Sequence, residues 1–251
     1  MLNKAIEACT YLLNNFPEAQ NCRDYLDSRL SKESQEKFCL GYFPDINNIS
    51  AITDITGKDY LLEHKLLRER KFEDIRGPNI IDELHFEHFP LIIPFHDPYG
   101  NIAGAIGRTL LNDEERGKIG LQKYKYTSFK KSLYLYGLFQ NKQSIIDNNS
   151  VYIVEGQFDV IKATEYGINN IVALGTSNMT DYQFSVILRY TDNIFLLLDN
   201  DSSGENGRKK IINNFGKYAN IQNFYLPEEY KDIDDYFSKT NDKSISFVIK
   251  G

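Results

Sequence analysis

Carboxylates are the residues of this chain whose placement points most directly to chemistry. Glu155 directly follows the apolar run Val151-Tyr152-Ile153-Val154, with Gly156 beside it and Asp159 one helical turn further on. Asp199-Asn200-Asp201 follows Ile194 to Leu198, and Asp232-Ile233-Asp234-Asp235 follows Ile221 to Leu226 and Pro227. Carboxylates gathered without matching Lys or Arg repel one another and bind protons more tightly, a strain that a divalent cation relieves. All-oxygen ligands without His or Cys select Mg²⁺ or Mn²⁺ over zinc, and such sites serve phosphate chemistry. Taken singly, each acid also has a plain structural use. Glu155 suits a helix N-terminus, Asp201 suits a cap, and Asp232 to Asp235 suits a solvated charge run. Three clusters at the ends of strands of one sheet argue for the metal reading. Gly156 is expected to permit a tight turn, and Ser202-Ser203-Gly204 to give the Asp201 loop room to approach a ligand.

The cations are gathered elsewhere. The net charge of -6 speaks against a nucleic-acid partner until its distribution is examined. Residues 1–107 carry 11 basic and 17 acidic groups, residues 108–142 carry 8 and 3, and residues 143–251 carry 10 and 15. Within the basic middle segment Lys123, Lys125, Lys130 and Lys131 interleave with Tyr124, Tyr126, Phe129, Tyr134, Tyr136 and Phe139. Cations for phosphates and rings for bases is the combination of single-stranded nucleic-acid channels. A half-buried strand with its Lys residues facing water is the competing account.

The elements that must position these groups change character along the chain. Leu2, Ala5, Ile6, Cys9, Leu12, Leu13 and Phe16 recur at helical spacing and stop at Pro17. Two more short helices are expected before Gly41-Tyr42-Phe43-Pro44, and another over Tyr60 to Leu67, so that about the first 75 residues read as helical. Leu91 to Phe95 and Ile102 to Leu110, joined by Asp97-Pro98-Tyr99-Gly100-Asn101, read as a β-hairpin. From Val151 the pattern alternates. Strands are expected over 151–154, 171–174, 194–198 and 221–226, and helices over 158–166, 181–190 and 207–218. Nearly continuous apolar strands separated by helices make a parallel sheet covered on both faces. The acids then fall beyond the carboxyl ends of the strands, where ligands bind in such sheets.

At 251 residues the chain can bury a sizeable core, and with 41% hydrophobic and 25% charged residues it falls in the globular class. Apolar runs are too short for a membrane span and the start lacks a signal-peptide core, so the cytoplasm is the expected location. Cys9, Cys22 and Cys39 form no C-x-x-C pair and read as packing residues, and no zinc site is expected from them or from His85 and His88.

These residues carry a resemblance. Val151 to Gly156 with Asp159, Leu174-Gly175-Thr176, and Leu198-Asp199-Asn200-Asp201 with Gly204 resemble the TOPRIM domain in its DnaG-type primase version. Upstream, Arg23 to Leu26, Leu30-Ser31 and Phe38 to Pro44 resemble the amino-terminal part of the primase catalytic core. Ile93-Pro94-Phe95 with Asp97 and Gly100, Gly107-Arg108, Lys123-Tyr124, and Lys131 before Leu135 to Leu138 resemble that core's basic path. Lys231 to Tyr236 is similar to its last acidic motif. The likeness runs from near Tyr11 to Phe237. Where family members commonly carry Arg before the Ile-Pro-Phe-like strand, this chain has His88-Phe89-Pro90. The family's zinc-binding and helicase-binding domains have no counterpart in it, which implies a bare catalytic core of the phage or mobile-element kind.

The resemblance implies an α/β protein: an α+β subdomain over 1–148 with the basic template path, then a TOPRIM domain over 149–251 with a mainly parallel sheet flanked by helices. It implies a DNA primase, a nucleotidyltransferase that makes short RNA primers on single-stranded DNA from ribonucleoside triphosphates. Glu155, Asp159, Asp199, Asp201, Asp232 and Asp234 are the implied ligands of Mg²⁺ or Mn²⁺, with Glu155, Asp199 and Asp201 catalytic and Glu155 either ligand or base. Arg108, Lys123, Tyr124 and Lys131 are the implied contacts to template and nucleotide. A replicative helicase and a separate zinc-binding protein are the implied partners. A TOPRIM-type nuclease and an inactive module that binds single strands or a helicase are the alternatives.

Overall fold

The computed structural model describes residues 2–74 and 77–240; residues 241–251 of the expected carboxyl-terminal domain lie outside them. In chain order the elements are α1 (Asn3–Asn15), α2 (Gln20–Asp27), α3 (Lys32–Lys37), β1 (Gly41–Tyr42), α4 (Ser50–Thr56), α5 (Lys58–Glu63), β2 (Leu67–Asp74), β3 (Gly77–Leu84), β4 (Leu91–His96) and β5 (Ile102–Arg108). There follow α6 (Asp113–Ile119), β6 (Tyr124–Tyr126), α7 (Leu138–Asn148), β7 (Val151–Val154), α8 (Gln157–Glu165) and β8 (Ile171–Ala173). The last elements are α9 (Asp181–Ile187), β9 (Asn193–Leu196), α10 (Ser202–Phe215), β10 (Asn220–Asn223) and α11 (Ile233–Lys239). No described helix is long and apolar enough to cross a membrane.

The chain forms two compact units. One holds Met1–Ser28, Phe38–Phe95 and Asn101–Phe129. Its sheet has the order β1-β4-β5-β6, with β1 antiparallel to β4 and β6 antiparallel to β5. Strand β4 buries Leu91, Ile92, Ile93 and Phe95. Helix α1 buries Ala5, Ile6, Ala8, Cys9, Leu12 and Leu13, the stripe its periodicity predicts. The helical reading of the first 75 residues fails at its end. Leu67–Asp74 is a strand paired antiparallel with Gly77–Leu84 in a two-stranded ribbon. Its charged sequence has little strand propensity, and pairing with a distant segment overrides the local signal.

The other unit holds Arg29–Lys37, His96–Gly100 and Lys130–Gly251. Its sheet has the order β10-β9-β7-β8, with all three pairings parallel. Val151, Ile153, Val172, Ile194 and Leu196 are fully buried, in a cluster with Leu174, Leu198, Phe184, Ile211 and Phe215. Helix α7 stands where the sequence reading expects none, and two further elements differ from it. Helix α10 starts at Ser202, so Ser202-Ser203-Gly204 is its first turn and not a loop. Helix α11 starts directly after Asp232 within the expected charge run.

Candidate metal centre and nucleic-acid path

Beyond the carboxyl ends of β7 and β9 the acids meet. Glu155 directly follows β7, half-buried, and its Oε1 is enclosed without a hydrogen-bond partner. Burial first, and the Asp199 charge next, push its carboxyl up to about 7, against a hydrogen bond donated by the Asp199 backbone. Asp159 is buried on α8, and burial, Asp232 and Asp199 hold it well above the usual carboxylate range. Asp199 is raised by burial and by Asp232, while Lys231 Nζ, 3.5 Å from its Oδ2, opposes the rise.

The same acids build the loops that hold them. Asp201 caps α10, its Oδ1 accepting from Ser203 and Gly204 N–H at 2.9 and 3.0 Å. Asp232 caps α11, its Oδ1 accepting from Asp235 N–H at 2.8 Å. Asp159 accepts from Gly156 N–H through Oδ2 and from Asp234 N–H through Oδ1, both at 3.1 Å, and so ties the turn after β7 to the last acidic segment. Gly156 is needed for this contact and not for a tight turn. Its backbone is extended, and a Cβ there would lie 2.5 Å from Asp159 Oδ2. Asp234 points its Oδ2 at the Arg29 guanidinium, and its Oδ1 is buried without a partner.

By donor type and mutual charge these residues fit a hard divalent cation: oxygen ligands only, repelling one another, with an unsatisfied oxygen on Glu155. As they stand, no three His, Cys, Asp or Glu side chains among the described residues converge closely enough to hold an ion. Several residues that organise the site escape a reading of the sequence. Asn200, between the two aspartates, donates through Nδ2 to the carbonyls of Leu226, Pro227 and Tyr230 and through its backbone to Lys231, joining two acidic loops. Arg208 donates to the carbonyls of Leu198 and Asp199. Arg29, 205 positions from Asp234, has no local signal at all. Asn200 and Lys231 stand inside the acidic motifs, where only their neighbours draw attention.

The basic residues take two settings. In the first unit Arg108 on β5 faces Tyr124 on β6 in register, donates to its hydroxyl at 3.0 Å, and lies 5.0 Å from the centre of the Tyr25 ring. Lys123 is exposed, with its ammonium 5.6 Å from the Tyr124 ring. Lys131 belongs to the second unit. Its Nζ donates to Gly175 O at 3.0 Å, and burial lowers its pKa.

A parallel sheet with Glu and Asp loops at its strand ends is the arrangement of a Toprim-like domain, and residues 152–237 match that family model. Residues 10–142, more than half of the chain, match the model described as the DNA primase catalytic core, N-terminal domain. The chain belongs to the DNA primase catalytic-core family, a metal-dependent one. It is 27% identical over 244 residues to the DNA primase of Aquifex aeolicus, an alignment covering 96% of this chain and 47% of that protein. The crystal structure of the Aquifex aeolicus primase zinc-binding and RNA polymerase domains matches with a TM-score of 0.75 and 27% identity, over 95% of this chain and 56% of that one. A DnaG primase catalytic domain bound to ssDNA matches with a TM-score of 0.72 and 24% identity, over 95% of this chain and 75% of that one. The chain thus spans about half the length of the curated relative.

Proposed function

We propose that this chain is the catalytic core of a DNA primase, joining ribonucleotides into short RNA primers on a single-stranded DNA template. The observation that carries the proposal is the gathering of buried, mutually repelling carboxylates at the ends of β7 and β9 in a primase-family chain. Asp199, Asp201, Asp232 and Asp234, with Glu155 and Asp159, hold the metal, which is Mg²⁺ or Mn²⁺ on donor chemistry. When bound, such a cation neutralises the triphosphate and stabilises the attacking and leaving oxygens. As the alternative to holding the metal, the half-buried Glu155, whose carboxyl sits at about 7, is suited to take the proton from the primer 3′-hydroxyl as that oxygen attacks the α-phosphate and pyrophosphate leaves.

Arg108, Lys123, Tyr124 and Lys131 bind template and nucleotide phosphates, the ring of Tyr124 offering a stacking face. Functionally, residues 1–148 carry this path and residues 149–251 carry the metal chemistry. The protein works in the cytoplasm, that of the host if phage-encoded, and starts primers with help from a replicative helicase and a separate zinc-binding protein. Equal priming rates with and without the cognate helicase would remove the helicase from this scheme.

The deciding experiment incubates the protein with circular single-stranded DNA, Mg²⁺ or Mn²⁺ and labelled ribonucleotides, with Asp199→Asn/Asp201→Asn as control. Short labelled products that vanish in the control are expected. Shortening of labelled DNA without ribonucleotides would mark a nuclease instead. DNA binding without either reaction, even when helicase is added, would mark a binding module.

A further inference from the structure

Helix α10 lies unusually close to the loop that carries Asp199 and Asp201. A Cβ on Gly204 would come within 2.1 Å of Asp199 O, and one on Gly207 within 2.3 Å of Ser177 O and 3.1 Å of Leu198 Cδ1. Positions 204, 207, 208 and 211 form one face of the helix, and only small residues at the first two let that face reach the loop. The residue this contact brings in is Arg208. At 2% exposure it is among the largest fully buried side chains of the protein. Its Nη1 donates to Asp199 O at 3.1 Å and its Nη2 to Leu198 O, while its guanidinium lies 4.3 Å from the centre of the Tyr225 ring. No carboxylate forms an ion pair with it among the described residues.

A buried cation spent on two successive backbone carbonyls is a costly way to fill a core, since an apolar side chain would fill it without desolvating a charge. Its fork fixes two carbonyls at once, which a single donor cannot do. Those carbonyls belong to the last residue before the acidic loop and to its first aspartate. We propose that Arg208 is a positioning residue that sets the Asp199–Asp201 loop in its metal-binding geometry by clamping the backbone beneath it. The inference rests on the metal role given above to Asp199 and Asp201.

The test is a Mn²⁺ titration followed by electron paramagnetic resonance, on wild type, Arg208→Met, Arg208→Lys and Asp199→Asn. Removing a positive charge near the carboxylates would by itself tighten cation binding. Loss of the clamp acts in the opposite direction. Binding about 10- to 100-fold weaker in Arg208→Met, the range typical of partners that orient metal ligands, is expected. Faster amide exchange confined to residues 198–204 should accompany it. Should Arg208→Met fail to fold, Arg208→Lys decides: it keeps the charge without the fork, and weakened binding supports the clamp. Wild-type or tighter Mn²⁺ binding in a folded variant, with Asp199→Asn still abolishing it, overturns the clamp alone. Wild-type protein that binds no Mn²⁺, or binds it unchanged in Asp199→Asn, overturns the metal reading and the clamp with it.

Discussion

The acidic loops of the second unit and the basic pair of β5 and β6 in the first are both assemblies of charge, yet they are held in place by different means. Asp159, Asp201 and Asp232 each accept backbone N–H groups, so their positions are fixed by the turns and caps they create. Arg108 and Lys123 instead lie against tyrosine rings, and Arg108 also donates to the Tyr124 hydroxyl, so side chains rather than backbone turns hold them. Burial raises the affinity of Asp159 for protons, and backbone hydrogen bonds hold all three acidic side chains in place. Lys123 is exposed and Arg108 half-buried, and under the proposed function they exchange a ring for a phosphate. Chemistry at a fixed point calls for the first arrangement, and tracking a strand of varied sequence calls for the second.

The sharpest break between the two would be a pair of variants with opposite failures. Asp199→Ala should bring primer synthesis to background while single-stranded DNA affinity stays within about twofold of wild type, because the acid contributes to metal binding and not to phosphate neutralisation. Arg108→Ala/Lys123→Ala should retain metal binding but lower the slope of log affinity against log salt by about 1.4, or about 0.7 for each cation lost. Primer synthesis and Mn²⁺ titration read the metal side and filter binding across a salt series the DNA side, and a variant that loses both metal and DNA binding would erase the distinction.

Next in size is a purely steric effect. A methyl group on Gly204 meets the Asp199 carbonyl oxygen, which is backbone and cannot swing aside. Gly204→Ala should cost about 1–3 kcal/mol of stability, typical of overpacking. A melting temperature lower by several degrees, with about 2–4 °C per kcal/mol at this chain length, would register it. Wild-type stability would mean that α10 is free to move off the loop.

A smaller effect is expected from pH. Glu155, Asp159 and Asp199 all hold protons more tightly folded than unfolded. Their contribution to stability is therefore complete below the ordinary carboxylate range and is lost as pH rises, for Glu155 through about 7. Metal-free protein in EDTA should melt progressively lower as pH rises from about 5 to about 8, and millimolar Mg²⁺ should flatten the trend by binding the ionised form. Identical profiles with and without the cation would mean that the carboxylates do not share a metal.

Much of the second unit was legible because its signals are local. Apolar runs mark β7, β8 and β9, with Gly156 and Gly175 just beyond the first two, and an acid immediately after such a run lies at a carboxyl end whatever the rest of the fold does. The ribbon of β2 and β3 was not legible, since Leu67–Asp74 has neither clean alternation nor apolar content and gains its form from Gly77–Leu84. The first turn of α10 was missed for a related reason: Ser202, Ser203 and Gly204 are poor helix formers that become helical under the cap of Asp201.

What the sequence determined by itself is the succession along the chain of the strands and helices from β7 to β10 and the types of charge at the strand ends, because periodicity and composition act over a few residues. What only the tertiary structure decided is who holds whom. Asn200 bonds to carbonyls of a loop near position 226, Arg29 pairs with Asp234, and Arg208 lies under Asp199. Such pairings join residues distant in sequence, or turn a side chain inward where the sequence shows only a charge on a helix. They exist only once the packed sheet has brought their backbones within hydrogen-bond reach.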